Sequence, residues 1–299
     1  MNVLMENTST YKKRFGDRRE GRRLRSLEPI TQVIPFLMKT RTESMNTFVT
    51  SVEITELLKY VHDLRDQGYK GINAMHILVA AYARTVSEYP GINRFISGQR
   101  IFARKDIQIS MAVKKELKLN APETMLKFYL SPSSNLFDVY KEMNTKIEEY
   151  KTQEEDDSFD KLVRVLAFFP RFVFRFAVRM LFLLDYYDWI PMFLLKLSPF
   201  HCSLLITSMG SLGVPPIYHH LYNFGNAPMF VSFGTTRNER ELEADGTVIQ
   251  HRYMDFKVTM DERICDGQYF SAAVHALIKY LKNPKLLEIS PETVNEDVK

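Results

Sequence analysis

Cysteine is scarce. Cys202 and Cys265 are the only two in 299 residues, which excludes a disulfide framework or a thiolate zinc cluster as the organising device. Tryptophan occurs once, at Trp189. No uninterrupted apolar run approaches the ~18 residues that a membrane-spanning helix needs. The first 25 residues lack the apolar stretch of a secretory signal, so the cytoplasm is the default compartment. There is no internal repeat, no Gly/Ser-rich linker, no metal-ligand spacing and no phosphate-cradling glycine loop, and no metal is expected. Charge of one sign is also scarce, except at one end. Residues 1–25 hold eight basic residues against three acids, and the remainder of the +4 chain is close to neutral. That distribution argues against a nucleic-acid-binding body, because no aromatic-basic platform accompanies the basic end.

What is present is a hydrophobic fraction of 45%, enough for a substantial core. Residues 1–20 read as a basic, solvated arm, 21–290 as the core and 291–299 as an acidic, mobile tail. Residues 29–50 carry short apolar stretches with Thr and Val and read as strand material around a connection. Ile54, Leu57, Leu58, Val61 and Leu64 recur at helical spacing, closed by Gly68. A second helix is expected from an Asn73 N-cap to Tyr89, stopped by Pro90-Gly91. Strands follow near 92–102 and 106–113, then an amphipathic helix over 135–151 and an acidic break over 153–160. Strands are expected again over 203–209, 227–236 and 247–261, the last two joined by a turn ending in Asp245-Gly246. A final helix starts after Gly267, buries Phe270, Ala273, Leu277 and Tyr280, and stops at Asn283-Pro284. The pattern predicts a layered α/β domain.

Several blocks, in order, resemble the acyltransferase catalytic core of the 2-oxoacid dehydrogenase complexes. They are Gly21-Arg22-Arg23-Leu24, the helix beginning Ile72-Asn73-Ala74-Met75-His76, the turn Tyr89-Pro90-Gly91-Ile92-Asn93-Arg94, the strand Asp106–Val113, the strand and loop Ile206–Gly213, and Asp261-Glu262-Arg263-Ile264-Cys265-Asp266-Gly267. The last is similar to that family's Asp-His-Arg-x-x-Asp-Gly, with Glu262 standing where the family has histidine. The resemblance implies a chloramphenicol acetyltransferase-like two-layer α/β sandwich with a mixed sheet. It also implies a coenzyme A thioester as co-substrate, and a homotrimer with sites between subunits. The chain shows no lipoyl or subunit-binding segment ahead of the core, hence no lipoyl group of its own, so a free-standing member is expected.

In that family the histidine takes a proton from a thiol or hydroxyl, which then attacks the thioester. A strand hydroxyl donates to the developing oxyanion. Thr207 matches that hydroxyl, and its plain alternative is an ordinary β-branched strand residue. Asp266 matches an aspartate that pairs with an arginine and holds the loop. Arg263, Ser208 and Gly210 fall where the resemblance implies contacts to the cofactor. Glutamate is a poor substitute for imidazole, because an ordinary carboxyl titrates near ~4.3 and lacks a second orienting nitrogen. Two readings follow. One is an acyltransferase working on a thiol or hydroxyl acceptor through Glu262. The other is a catalytically inactive member of the fold that binds acyl-CoA or lipid, or acts as a scaffold. His219 and His220 lie in a Pro-rich loop and read as exposed. His76 and His275 read as helix residues, and Cys265 as an inert thiol.

Residues 160–200 form a strongly apolar insertion. Arg171, Arg175 and Arg179 step by four along a segment of Phe, Val and Leu and make one polar stripe. Three readings stay open: a packed helical layer, the wall of an acyl tunnel, or contact with a membrane surface through residues 160–200.

Overall fold

In the computed structural model, residues 12–114, 123–152, 168–242 and 244–299 are described. The expected arm's first residues, 1–11, and the acidic break over 153–160 lie outside them, as does the start of the insertion, 160–167. The elements in chain order are β1 (Gly21–Arg23), α1 (Pro29–Leu37), β2 (Met45–Glu53), α2 (Thr55–Asp66), α3 (Ala74–Glu88), β3 (Arg94–Ser97), β4 (Arg100–Arg104), β5 (Ile107–Lys114), β6 (Glu123–Leu130), α4 (Leu136–Thr152), α5 (Arg171–Tyr187), α6 (Met192–Leu197), β7 (Leu204–Ser208), β8 (Met229–Leu242), β9 (Val248–Asp261) and α7 (Gly267–Lys282).

Six strands form a mixed sheet in the order β2-β9-β8-β7-β5-β6. The β8–β7 and β7–β5 pairs run parallel and the other neighbours antiparallel. Period-two alternation decides the layering. Leu204 and Ile206 of β7, Met229 and Val231 of β8 and Met254, Phe256, Val258 and Met260 of β9 share one core with α3 and α7. Leu205 and Phe230 point to the opposite face, where they pack with Cys202, Leu221 and Ala227 under the loop after β7. A smaller antiparallel sheet, β1-β4-β3, stands beside the first. The chain is therefore a two-layer α/β sandwich with a mixed sheet.

Local signals account for most elements. The Asn73 side chain accepts from the Met75 amide at 3.0 Å, while His76 Nδ1 accepts from the Asn73 amide at 3.2 Å, closing a reciprocal cap on α3. His76 is buried, which pushes its imidazole down to about 4. Gly68, at φ +100°, ends α2 in a backbone conformation that a Cβ disfavours. Residues 29–37 depart from expectation. They form helix α1, started by Pro29 at its first turn; of the 29–50 stretch only residues 45–50 are strand, at the start of β2. The apolar residues Ile30, Val33, Ile34 and Leu37 fit helical spacing as well as they fit a strand, and the position of proline decides it.

Residues 17–20 of the expected arm, and the tail, make specific contacts with the body. Arg18 donates to the Tyr186 carbonyl at 2.6 Å, and Arg19 to the Ile190 carbonyl at 2.7 Å. Glu20 pairs with the buried Arg104. Asp297 receives both a 2.8 Å and a 2.6 Å bond from Arg94, the Asn295 amide donates to the Ser87 carbonyl, and the last residue's carbonyl accepts from the amides of Arg25 and Ser26. Charge that reads as solvation in sequence ties each end to the body of the chain.

The insertion is fastened by polar contacts. Asp185 of α5 accepts from the Gly225 amide at 2.9 Å and lies 3.0 Å from His201 Nε2, while His201 Nδ1 lies 2.7 Å from Ser198 Oγ. Lys127 of β6 caps the end of α6 by donating to the carbonyls of Leu195 and Ser198 at 3.0 and 3.4 Å. Burial pushes the Lys127 ammonium down to about 8, against the pull of Glu20. Below that pH the lysine is charged in both folded and unfolded chains, and the full burial penalty applies. Between about 8 and about 10.4 the folded chain releases its proton first, so stability rises with pH. The stability of wild type relative to Lys127→Met should therefore improve across that window. Denaturant titrations at about pH 7 and about pH 10 would read the change, and an unchanged difference would contradict it.

Candidate active site

The loop that closes β9 is pinned from within. Asp261 is fully buried and receives a fork from Arg263, Nε at 2.7 Å and Nη2 at 2.6 Å, together with Ser44 Oγ at 3.0 Å. Arg263 spends its remaining nitrogen on the Met38 carbonyl at 2.8 Å. Positions 261 and 263 both point inward, so the side chain between them turns out. Glu262 is exposed, its amide bonded to the Ser44 carbonyl.

Glu262 stands at the rim of a cleft of about 580 Å³ beside the edge strand β2. Ile34 lines it from α1 and Met38 from the residue just after that helix, Phe48 from β2, Met260 from β9, and Phe270 and Val274 from α7. Asn46 of β2 donates to Glu262 Oε2 at 2.9 Å, leaving the other carboxylate oxygen without a partner among the described residues. At the back, Phe48 meets Phe270 edge to face at 5.3 Å. A carboxylate held by one amide at the mouth of a mostly apolar cleft can accept a proton from a group lying in that cleft.

Asp266 also lines the cleft, but its side chain accepts from the Tyr269 amide at 2.9 Å and caps α7. The arginine pairing implied for Asp266 by the resemblance is not made by Arg263, which forks onto Asp261 instead. Gly267 opens the helix directly behind this cap. Cys265 lines the cleft too, and burial pushes its thiol up to about 12, so little thiolate forms at neutral pH.

Thr207, Ser208 and Gly210 lie elsewhere. Thr207 pairs with Ser232 of β8, which pairs with Lys257 of β9. Two strand spacings and five residues of rise separate Thr207 from Glu262, roughly 20 Å within one chain. Ser208 ends β7, and Gly210 follows it against the Gly234 carbonyl, where a Cβ would sit at 2.9 Å. His219 stacks flat on Phe230 at 4.0 Å under the loop after β7, and His220 is exposed. Neither histidine lines the cleft. None of the described residues 168–200 lines it either, so the insertion does not wall an acyl tunnel there within the chain.

Asn46 was not singled out from the sequence. Its contact depends on the cross-strand register that sets Asn46 opposite Met260, and a strand asparagine carries no local sign of that pairing.

Residues 26–156 match the family model described as 2-oxoacid dehydrogenases acyltransferase (catalytic domain). The fold agrees over most of the chain. A probable dihydrolipoamide acetyltransferase from Listeria monocytogenes 4b F2365 superposes with a TM-score of 0.54 at 12% identity, covering 92% of this chain and 97% of that one. A truncated catalytic core of the 2-oxoacid dehydrogenase multienzyme complex from Thermoplasma acidophilum gives 0.51 at 12% identity, covering 87% and 98%. The cubic core of the pyruvate dehydrogenase multienzyme complex gives 0.50 at 13% identity, covering 86% and 88%. No curated protein matches the chain. The acyltransferase family match ends at residue 156, so the Glu262 loop is compared with these structures by fold alone.

Proposed function

We propose that the chain is a coenzyme A thioester-dependent acyltransferase that uses Glu262 in place of a histidine base. The observation that carries this reading is the Asn46-held carboxylate at the mouth of an apolar cleft. In the proposed reaction the partner-free oxygen of Glu262 takes the proton of an acceptor thiol or hydroxyl. The acceptor atom attacks the thioester carbonyl, and its oxygen becomes an oxyanion. Collapse expels the coenzyme A thiolate, which recovers the proton from Glu262. A thiol acceptor suits a carboxylate base better than an alcohol does, because its proton is lost more readily. The apolar acyl group would rest against Phe48, Met260 and Phe270.

Thr207 supplies the oxyanion hydroxyl in this reading, and it must come from a neighbouring protomer, because its own lies roughly 20 Å away by strand geometry. A homotrimer with shared sites meets that requirement, and it would also exclude the water that reaches Glu262 in one chain. The exposure of Glu262 favours a second reading, a silent acyl-CoA binder.

One experiment separates the two. Acetyl-CoA and longer acyl-CoAs are mixed with the protein and a small thiol acceptor, and released coenzyme A is followed with Glu262→Gln and Glu262→His beside wild type. Wild-type turnover reduced about 10²–10⁴-fold by Glu262→Gln is the expected result. Turnover by the histidine variant alone would mean that the native site only binds.

A further inference from the structure

Helix α5 presents an apolar face that the other described residues leave uncovered. Phe172, Phe176, Met180, Leu183 and Tyr187 recur every three or four residues and are all exposed, Phe172 at 73% and Phe176 at 65%. The opposite flank of the helix, including Val173, Ala177 and Leu184, is half-buried against the body. Beyond the helix the surface continues through Trp189 and Phe193, each 63% exposed, with Trp189 stacked on Tyr187 at 5.1 Å. It extends toward α1 through Gln99, which accepts from the Tyr186 hydroxyl at 3.0 Å and reaches the Pro35 carbonyl at 3.5 Å. There Phe36 and Leu37 are again exposed.

Arg171, Arg175 and Arg179 run beside the apolar stripe. All three are exposed, and none has a carboxylate partner among the described residues. The acids at the far, C-terminal end of α5 are engaged inward, Asp185 with His201 and Gly225, and Asp188 with the Arg19 amide. No helix among the described residues is long and apolar enough to cross a membrane. An in-plane helix needs something different: an apolar face, flanking cations, and aromatic residues with polar tips at the headgroup level. This face has all three.

We propose that the α5 face docks on an anionic phospholipid bilayer surface, with the Phe stripe among the upper acyl carbons and the three arginines on headgroup phosphates. Charge complementarity selects this occupant. Two copies seated face to face would bring guanidinium stripes together with no acid among the described residues of the face to receive them. An anionic bilayer supplies the missing partner to every arginine at once. The proposal is independent of any activity at Glu262.

Trp189 makes the test direct, because it is the chain's only tryptophan. The full chain is mixed with vesicles of phosphatidylcholine, with or without phosphatidylserine, and followed by intrinsic fluorescence and co-sedimentation. Emission should shift to shorter wavelength with the anionic vesicles, and added salt should weaken binding. The triple variant Arg171→Gln/Arg175→Gln/Arg179→Gln should lose on the order of a hundredfold in affinity for the anionic vesicles. Phe172→Ser/Phe176→Ser should lose binding and the Trp189 shift together. If the serine variant fails to fold, wild type still decides: no shift and no co-sedimentation at low salt overturns the proposal. It is equally overturned if wild type ignores vesicles while the serine variant breaks up an oligomer seen by light scattering, since the face then seals copies of the chain.

Discussion

Arg263→Ala should destabilise the protein by about 3–5 kcal/mol, a large share of the stability of an ordinary domain. Asp261 is fully buried and depends on Arg263 for two short bonds, with Ser44 giving a third. Removing the guanidinium leaves a carboxylate that neither water nor a new partner can reach easily, and frees the Met38 carbonyl as well. Arg41 is the nearest other cation of consequence. Its guanidinium is pushed down to about 10 by burial, with Asp261 pulling the other way, and it is committed to the carbonyls of Ile96 and Asn223. The double variant Asp261→Asn/Arg263→Met should lose less than Arg263→Ala alone, because it removes both charges together. Denaturant midpoints check both. A loss of under about 1 kcal/mol for Arg263→Ala would mean that Arg41 already neutralises the carboxylate. Because positions 261 and 263 flank Glu262, the same variant should also loosen the only segment that presents its carboxylate to the cleft.

The second large effect is a recovery. Glu262→Gln and Thr207→Val should each be nearly inactive, the latter losing about 10²–10³-fold through its missing oxyanion donor. Co-assembled in equal amounts, they should regain roughly a quarter of wild-type turnover, because the proposed trimer, assembled at random, would join an intact Glu262 to a neighbour's intact Thr207 at about one boundary in four. The estimate rests on the roughly 20 Å between these positions within a chain, which forbids one protomer from supplying both. A mixture no more active than its components would remove Thr207 from the reaction or place both groups on one chain. Size-exclusion chromatography with light scattering shows in the same experiment whether mixed oligomers formed.

How much of this was legible differs by element. The α3 cap, the Gly68 stop and the Asp261–Gly267 signature depend on neighbours within a few residues, and the sequence displays them. The strands β7 and β9 follow alternating patterns and begin and end close to expectation. Helix α1 is not legible as a helix because its apolar spacing is compatible with both periods, so nothing local places Ile34 and Met38 at the cleft. The expected solvated arm and mobile tail are tied by Arg18, Arg19, Arg94 and Asp297, all through partners more than 150 residues away in sequence.

The sequence by itself determined the layered α/β class, the family resemblance and the glutamate standing at the family's histidine position, because periodicity and short motifs are local properties. Tertiary structure alone decided that Arg263 forks onto Asp261 and leaves Asp266 to cap a helix, that Asn46 orients Glu262, and that Thr207 stands far from both. The first turns on which side chains of a short loop are buried; the other two are set by strand order and register, which bring together or separate residues with no local sign of it. The bare face of α5 belongs to the same class: a sequence shows that a helix is amphipathic, but only its packing shows which part of the apolar surface is left for something else to cover.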